Sequence, residues 1–240
     1  MLQLIFERLF DAGVRDFCFV IGRGKRAIED HFTPDYGFLA SMRGKKAYPE
    51  LEAFYRRLEE ARILWVNQPE ARGFGEAVLR ASPVCGGGSL IVHAGDTYLS
   101  SQGRYLDGLF KVFGELGCEG VFPVEWMEDP RSKGVVEVDE LGNRLYRVKR
   151  IVEKPVKPPS NLAVVPIYLF KPRIFEALKR LKPGVGGELQ LTDAIQSLIE
   201  GGSEVYALGL DPREAVLDIG DPYTYWIALS KSWELANPSA

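Results

Sequence analysis

The chain has 240 residues, 46% of them hydrophobic and 26% charged, and a formal net charge of −3. That length suits one large α/β core, the composition is that of an ordinary globular protein, and the charge argues against non-specific nucleic-acid binding. No apolar run is long enough to span a bilayer. An anionic small ligand stays open, because it needs only a local cluster of cations. Cys18, Cys85 and Cys118 are far apart and odd in number. They suit a reducing cytoplasm better than a disulfide framework or a zinc site. His31 and His93 are the only histidines, which excludes a histidine-rich metal site.

The apolar period then switches repeatedly between 3.6 and 2. Leu2, Ile5, Phe6, Leu9 and Phe10 form a helical stripe that Gly13 stops. With Glu7, Arg8 and Asp11 on it, this reads as an amphipathic helix rather than a signal peptide. FCFVIG (17–22) predicts a strand buried on both faces. KRAIEDHF predicts a short helix, 33–48 a loop or flap, PELEAFYRRLEEA a helix and ILWVNQ a strand. GFGEAVLRAS predicts a helix entered through glycines, SLIVHAGD a buried strand, YLDGLFKVFGELG a helix and CEGVFPVEWM a strand. Strands without helices between them follow: GVVEV, RLYRVKRIVEKP and LAVVPIYLF. Helices return at RIFEALKRLK and LTDAIQSLIEG, then strands at EVYALGL and AVLDIG, and PYTYWIALSKSWELA closes the chain as a helix. The expected fold class is therefore α/β: a Rossmann-like mixed sheet flanked by helices in one domain over 1–240, with an antiparallel β insertion at about 131–170.

Four constellations carry candidate chemistry. In NQPEARGFGEA, a strand delivers Gln68 to a loop, and Gly73 and Gly75 open a helix. Glycine lets backbone approach a ligand, and a Gln amide offers both donor and acceptor to a base edge; an ordinary βα turn accounts for the same residues. In HAGDTYL, Asp96 ends a buried strand, where open α/β sheets place ligands. A carboxylate there suits Mg²⁺, or else caps a following helix. In VLDIGDP, Asp218 lies between Leu217 and Ile219, where a carboxylate is costly unless paired or bound to metal. Asp221, before Pro222, is the better N-cap. In RIVEKP, Glu153 and Lys154 end a strand just before Pro155. Strand neighbours point to opposite faces, so they are not expected to form a simple ion pair unless a twist or bulge turns both the same way; a solvated strand end is the bland alternative. A Gly-x-Gly in VIGRGKRAI lacks the third glycine of a dinucleotide fingerprint and is a weak signal.

Taken in order, GKRAIEDHF, Gln68 with GFGEAVLRA, HAGDTYL, GVVEV, LGNRLYRVKRIVEKP, PSNLAVVPIYLF, GGELQLTDAI and LDIGDPYTYW resemble the sugar nucleotidyltransferases. Among them they resemble the bacterial and archaeal UTP–glucose-1-phosphate uridylyltransferases. Each stretch is weak alone, and the collinear set is strong. The resemblance implies that Glu153 accepts hydrogen bonds from glucose hydroxyls and Lys154 meets the sugar phosphate. It implies that Gly134 and Val164 line the sugar pocket, that Gln68 and the Gly73 backbone read uracil, and that Asp96 and Asp218 hold Mg²⁺. The antiparallel insertion becomes the sugar-binding side. The implied partners are UTP and glucose 1-phosphate, neither nucleic acid nor membrane, with a second copy of the chain as a further candidate. The family's first strand and its Gly-x-Gly-Thr-Arg triphosphate loop have no match after Met1. A gap in the sheet between 17–21 and 90–94, and reduced activity, are therefore expected. Two other readings stand beside this one: a non-catalytic paralogue binding sugar phosphate or nucleotide, and a metal-dependent glycosyltransferase using a nucleotide sugar.

Overall fold

The computed structural model describes residues 1–101 and 104–237. The helix α1 (Leu2–Asp11) buries Ile5, Phe6, Leu9 and Phe10 along one face. After it, Gly13 at φ 97° turns the chain into β1 (Asp16–Ile21), which pairs in parallel with β2 (Arg62–Asn67). Between the two strands lie α2 (Arg26–His31), α3 (Tyr36–Ser41) and α4 (Tyr48–Glu60). The first correction concerns α3, which occupies part of the stretch expected to be a loop. Asp35 caps it by accepting from the Phe38 N–H at 2.8 Å. Six residues are fewer than two turns, too short to show a 3.6 repeat.

After β2 come α5 (Phe74–Arg80), β3 (Leu90–His93), β4 (Thr97–Ser100), α6 (Arg104–Leu116) and β5 (Gly120–Trp126). The antiparallel part is β6 (Gly134–Gly142), β7 (Leu145–Glu153), β8 (Leu162–Val164) and β9 (Ile167–Phe170). LAVVPIYLF thus makes two short strands, split at Val165 and Pro166. The chain ends with α7 (Arg173–Arg180), α8 (Leu191–Glu200), β10 (Val205–Gly209), β11 (Ala215–Asp218) and α9 (Pro222–Ala236). No helix among the described residues is long and apolar enough to cross a membrane.

The described residues form three sheets. β5 is the hub of a seven-stranded mixed sheet, pairing in parallel with β10 and antiparallel with β8 and β9. Because β10 also pairs with β7, the strands β10, β7, β6, β8 and β5 close on one another. Among the described residues β3 joins this sheet only through β9. β4 and β11 form an antiparallel pair of their own. One core gathers around Phe6, whose ring centroid lies 4.6 Å from that of Phe17 and 5.5 Å from that of Phe32. The other core packs α5, α7 and α8 on the antiparallel strands around Phe122, Phe170 and Ile195.

The expected gap is present: β1 pairs with β2 and, among the described residues, not with β3. This overturns the reading of both as strands buried on each face. Of β1 only Phe17 is buried, and every residue of β3 is half-buried. Leu2 reaches Gly95, just past the C-terminal end of β3. The bonds Arg62 N–H to Arg15 C=O and Gln68 N–H to Ile21 C=O fix which β1 residues face β2. By the period of two, the backbones of Cys18 and Val20 face the gap. The bond Ala94 N–H to Pro166 C=O likewise leaves Ile91 and His93 facing it. His93 Nε2 is buried with no hydrogen-bond partner among the described residues, while Nδ1 donates to the Ala94 carbonyl at 2.8 Å. In native-state exchange the amides of Cys18, Val20, Ile91 and His93 should exchange at least about a hundredfold faster than those of Phe19, Ile21 and Val92. Uniform protection along either strand would mean that its open edge is covered.

Candidate functional site

Asp96 follows β3, and what comes next is β4, not a helix, so Asp96 caps nothing. β4 pairs with β11 in the register Thr97–Asp218, and the Ile219 N–H donates to the Asp96 carbonyl at 2.9 Å. The two carboxylates converge on Gly220: a methyl group there would lie 3.1 Å from Asp218 Oδ1 and 3.4 Å from Asp96 Oδ2. Asp218 Oδ1 accepts from the Gly220 N–H at 2.8 Å and from the Thr224 hydroxyl at 3.4 Å, and Oδ2 meets Lys133 Nζ at 3.2 Å. Asp221 is the N-cap of α9, in a reciprocal capping box with Thr224. Two carboxylates are the protein share that Mg²⁺ takes when phosphates and waters complete its shell. Among the described residues no cluster of three His, Cys, Asp or Glu would hold a metal alone.

The second wall is the mouth of the β6–β7 ladder, where Gly134 is opposite Glu153. Lys154 stands at φ 43°, in the left-handed region, and its N–H donates to the Lys133 carbonyl at 3.1 Å. This ends the strand alternation one residue early. Lys154 Nζ comes to 4.0 Å from Glu153 Oε1, so the two charges do pair, against the expectation from strand geometry. The Thr192 hydroxyl donates to Glu153 Oε2 at 3.0 Å. A Cβ on Gly134 would sit 2.9 Å from the Thr192 methyl, 3.4 Å from Glu153 Oε2 and 3.6 Å from Val164 Cγ2. Only glycine lets these three close on one point.

The third wall carries Gln68 and Gly73. The Gln68 amide is not idle: Nε2 donates to Glu76 Oε2 at 2.7 Å and to the Gly73 carbonyl at 3.3 Å. Burial pushes the Glu76 carboxyl up, but the bonds from Arg80 and Gln68 outweigh it and hold the group below its ordinary range. The glycines serve packing within the chain. Gly73 has φ 102°, and a Cβ there would meet the Leu189 carbonyl at 2.8 Å; at Gly75 the same oxygen would be 2.6 Å away. The Gly75 N–H donates to that carbonyl at 2.9 Å, and the Leu189 N–H donates back to the Arg72 carbonyl at 2.8 Å.

Gln68, Gly73, Asp96, Gly134, Glu153, Lys154, Val164 and Asp218 all line one cavity of about 1500 Å³, which continues into the gap between β1 and β3. That exceeds the roughly 300–1,000 Å³ of common single-ligand pockets. Lys133 and Thr192 line it too and went unread in the sequence. Lys133 is one charge in a turn, and Thr192 looks like any polar residue opening a helix.

The nucleotidyl transferase family matches residues 1–233. The chain belongs to that family. A UTP–glucose-1-phosphate uridylyltransferase of Pseudomonas aeruginosa is 34% identical over 200 residues, covering 81% of this chain and 72% of the relative. The crystal structure of an apo UDP-glucose pyrophosphorylase superposes with a TM-score of 0.89 at 26% identity, over 98% of this chain and 87% of that one. A UDP-glucose pyrophosphorylase complexed with UDP-glucose gives a TM-score of 0.84 at 25% identity, over 98% and 86%.

In this nucleotidyl transferase the Glu153 carboxyl titrates above the ordinary glutamate range. Burial is the main cause, and the Thr192 bond and the Lys154 charge offset it only partly. A raised folded-state value means that ionised Glu153 costs stability. The cost is absent below the range of an unfolded glutamate and grows as pH rises through the folded value. Glu153→Gln keeps an acceptor for Thr192, so it should raise the melting temperature at pH 7 by more than at pH 4. An equal shift at both values would show that Glu153 carries no such cost.

Proposed function

We propose that this chain transfers the uridylyl group of UTP to glucose 1-phosphate, giving UDP-glucose and pyrophosphate. The observation that carries the reading is the convergence of Glu153, Lys154 and the Asp96–Asp218 pair on one cavity in a chain of this family. Glu153, held by Thr192, accepts from sugar hydroxyls, and Gly134 and Val164 line the sugar side of the cavity beside it. Lys154 meets the sugar phosphate: its side chain is about half exposed on the cavity rim and tethered only loosely to Glu153. The donor end of Gln68 is already engaged with Glu76. Its carbonyl oxygen is therefore the end it offers to a base N–H, beside the Gly73 backbone.

The chemistry needs no protein nucleophile. A phosphate oxygen of glucose 1-phosphate attacks the α-phosphorus of UTP, the bond from that phosphorus to its bridging oxygen breaks, and pyrophosphate leaves with the electron pair. The protein positions the two anions and neutralises their charge. Mg²⁺ held by Asp96 and Asp218 would supply further charge neutralisation between the phosphates. The unpaired thiols Cys18, Cys85 and Cys118 suit a reducing cytoplasm.

The test is pyrophosphate release by the purified chain with UTP, glucose 1-phosphate and Mg²⁺. Lys154→Ala should lower kcat/KM about 10- to 100-fold, the equivalent of one charge-assisted phosphate contact of ~1.5–3 kcal/mol. Glucose 1-phosphate binding without pyrophosphate release would make the chain a binding module. Sugar transfer from UDP-glucose to an acceptor would make it a glycosyltransferase. Either result overturns the reading.

A further inference from the structure

Lys133 has no part in the reaction as described, yet it sits against one of the two metal-binding carboxylates. The turn before β6 delivers it: its N–H donates to the Pro130 carbonyl at 3.0 Å, and its own carbonyl accepts from the Lys154 N–H at 3.1 Å. The backbone is thereby pinned on both sides, and the side chain points into the cavity. Nζ lies 3.2 Å from Asp218 Oδ2 and 4.0 Å from Glu125 Oε1, with the Lys133 side chain only 21% exposed. Asp96 Oδ2 borders the same place through Gly220. One ammonium therefore serves two carboxylates, Asp218 and Glu125, beside the place where Asp96 meets Asp218.

The neighbours show how crowded Asp218 is. Its Oδ1 is taken by the Gly220 N–H and the Thr224 hydroxyl, and its Oδ2 by Lys133. Mg²⁺ binds a carboxylate oxygen at about 2.0–2.1 Å and brings two positive charges. An ammonium at hydrogen-bond distance on Oδ2 repels it and competes with it for that oxygen. The Gly220 N–H is fixed in the backbone, so the partner that can leave is Lys133, on its flexible four-carbon stem.

We propose that Lys133 is a resident cation that holds Asp218 in the metal's absence and competes with a divalent ion for it. Lys133 is then a positioning residue. It keeps the carboxylates paired in the unliganded protein and keeps metal affinity low until an incoming phosphate draws the ammonium away. The inference rests on the reading of Asp96 and Asp218 as the metal carboxylates.

The experiment is Mn²⁺ binding to the full, nucleotide-free chain, read by electron paramagnetic resonance of the free ion. Lys133→Met removes the charge but keeps the apolar stem, and should tighten Mn²⁺ binding tenfold or more. Lys133→Arg keeps a cation on Asp218 and should stay as weak as the wild type. Asp218→Asn in the Lys133→Met background should abolish the gain. If the Met variant does not fold, as judged by circular dichroism, Lys133→Gln is read the same way. Unchanged or weaker Mn²⁺ affinity on removing the charge overturns the proposal, as does a gain that survives Asp218→Asn. This readout needs no turnover, so a chain that releases no pyrophosphate can still pass it, and an active chain can still fail it.

Discussion

The bond from the Lys154 N–H to the Lys133 carbonyl closes the mouth of the β6–β7 ladder, and much of the site hangs from it. It holds Lys154 at positive φ, which costs a non-glycine residue on the order of 1–3 kcal/mol. What the strain provides is placement. Glu153 stays in strand register opposite Gly134, while Lys154 leaves the strand plane and comes round to the same side. On the other arm of the bond, Lys133 is aimed at Asp218. One backbone contact thus positions two cations and one carboxylate that come from distant parts of the sequence.

The carboxylate pair depends on a different device. Asp96 and Asp218 are 122 positions apart by their numbers and share no core side chain. They meet because β4 and β11 pair antiparallel and because Gly220 has no side chain to separate them. Burial then sets the local electrostatics. Glu125, on β5, is pushed above the ordinary carboxylate range mainly by desolvation, with the nearby Asp218 charge adding to it and Lys133 and Lys231 opposing it. The closed group of strands around β5 gives this polar cluster a rigid floor, whereas β1 and β2 stand apart across the gap.

What the sequence revealed follows from which forces are local. Apolar periodicity carried α1, α4 and α6 and the alternation of strands and helices, because burying one face is a property of a short window. Asp221 before Pro222 was legible as a cap for the same reason. Asp218 stood out because its flanks, Leu217 and Ile219, made a carboxylate costly there. By contrast, nothing near Lys154 signals positive φ: that conformation is imposed by Lys133, twenty-one positions earlier in the numbering. The lock of Gln68 on Glu76 needs the turn of α5 to bring the two together, so the amide looked free. The glycines at 73 and 75 read as letting backbone approach a ligand, and within the chain they serve packing. Their neighbour is Leu189, more than a hundred residues away in sequence, and no local pattern names it.

That pairing of residues 72–75 with Leu189 acts as a mechanical yoke. Two reciprocal backbone bonds tie the loop that presents Gln68 to the segment leading into α8, and α8 carries Thr192, which holds Glu153. The wall that carries Gln68 and the wall that carries Glu153 are therefore not separate jaws. A push on one is delivered to the other through peptide groups, which bend far less readily than side chains. Closure around the first ligand to arrive would already shape the seat for the second, with no contact between the two ligands needed to couple them.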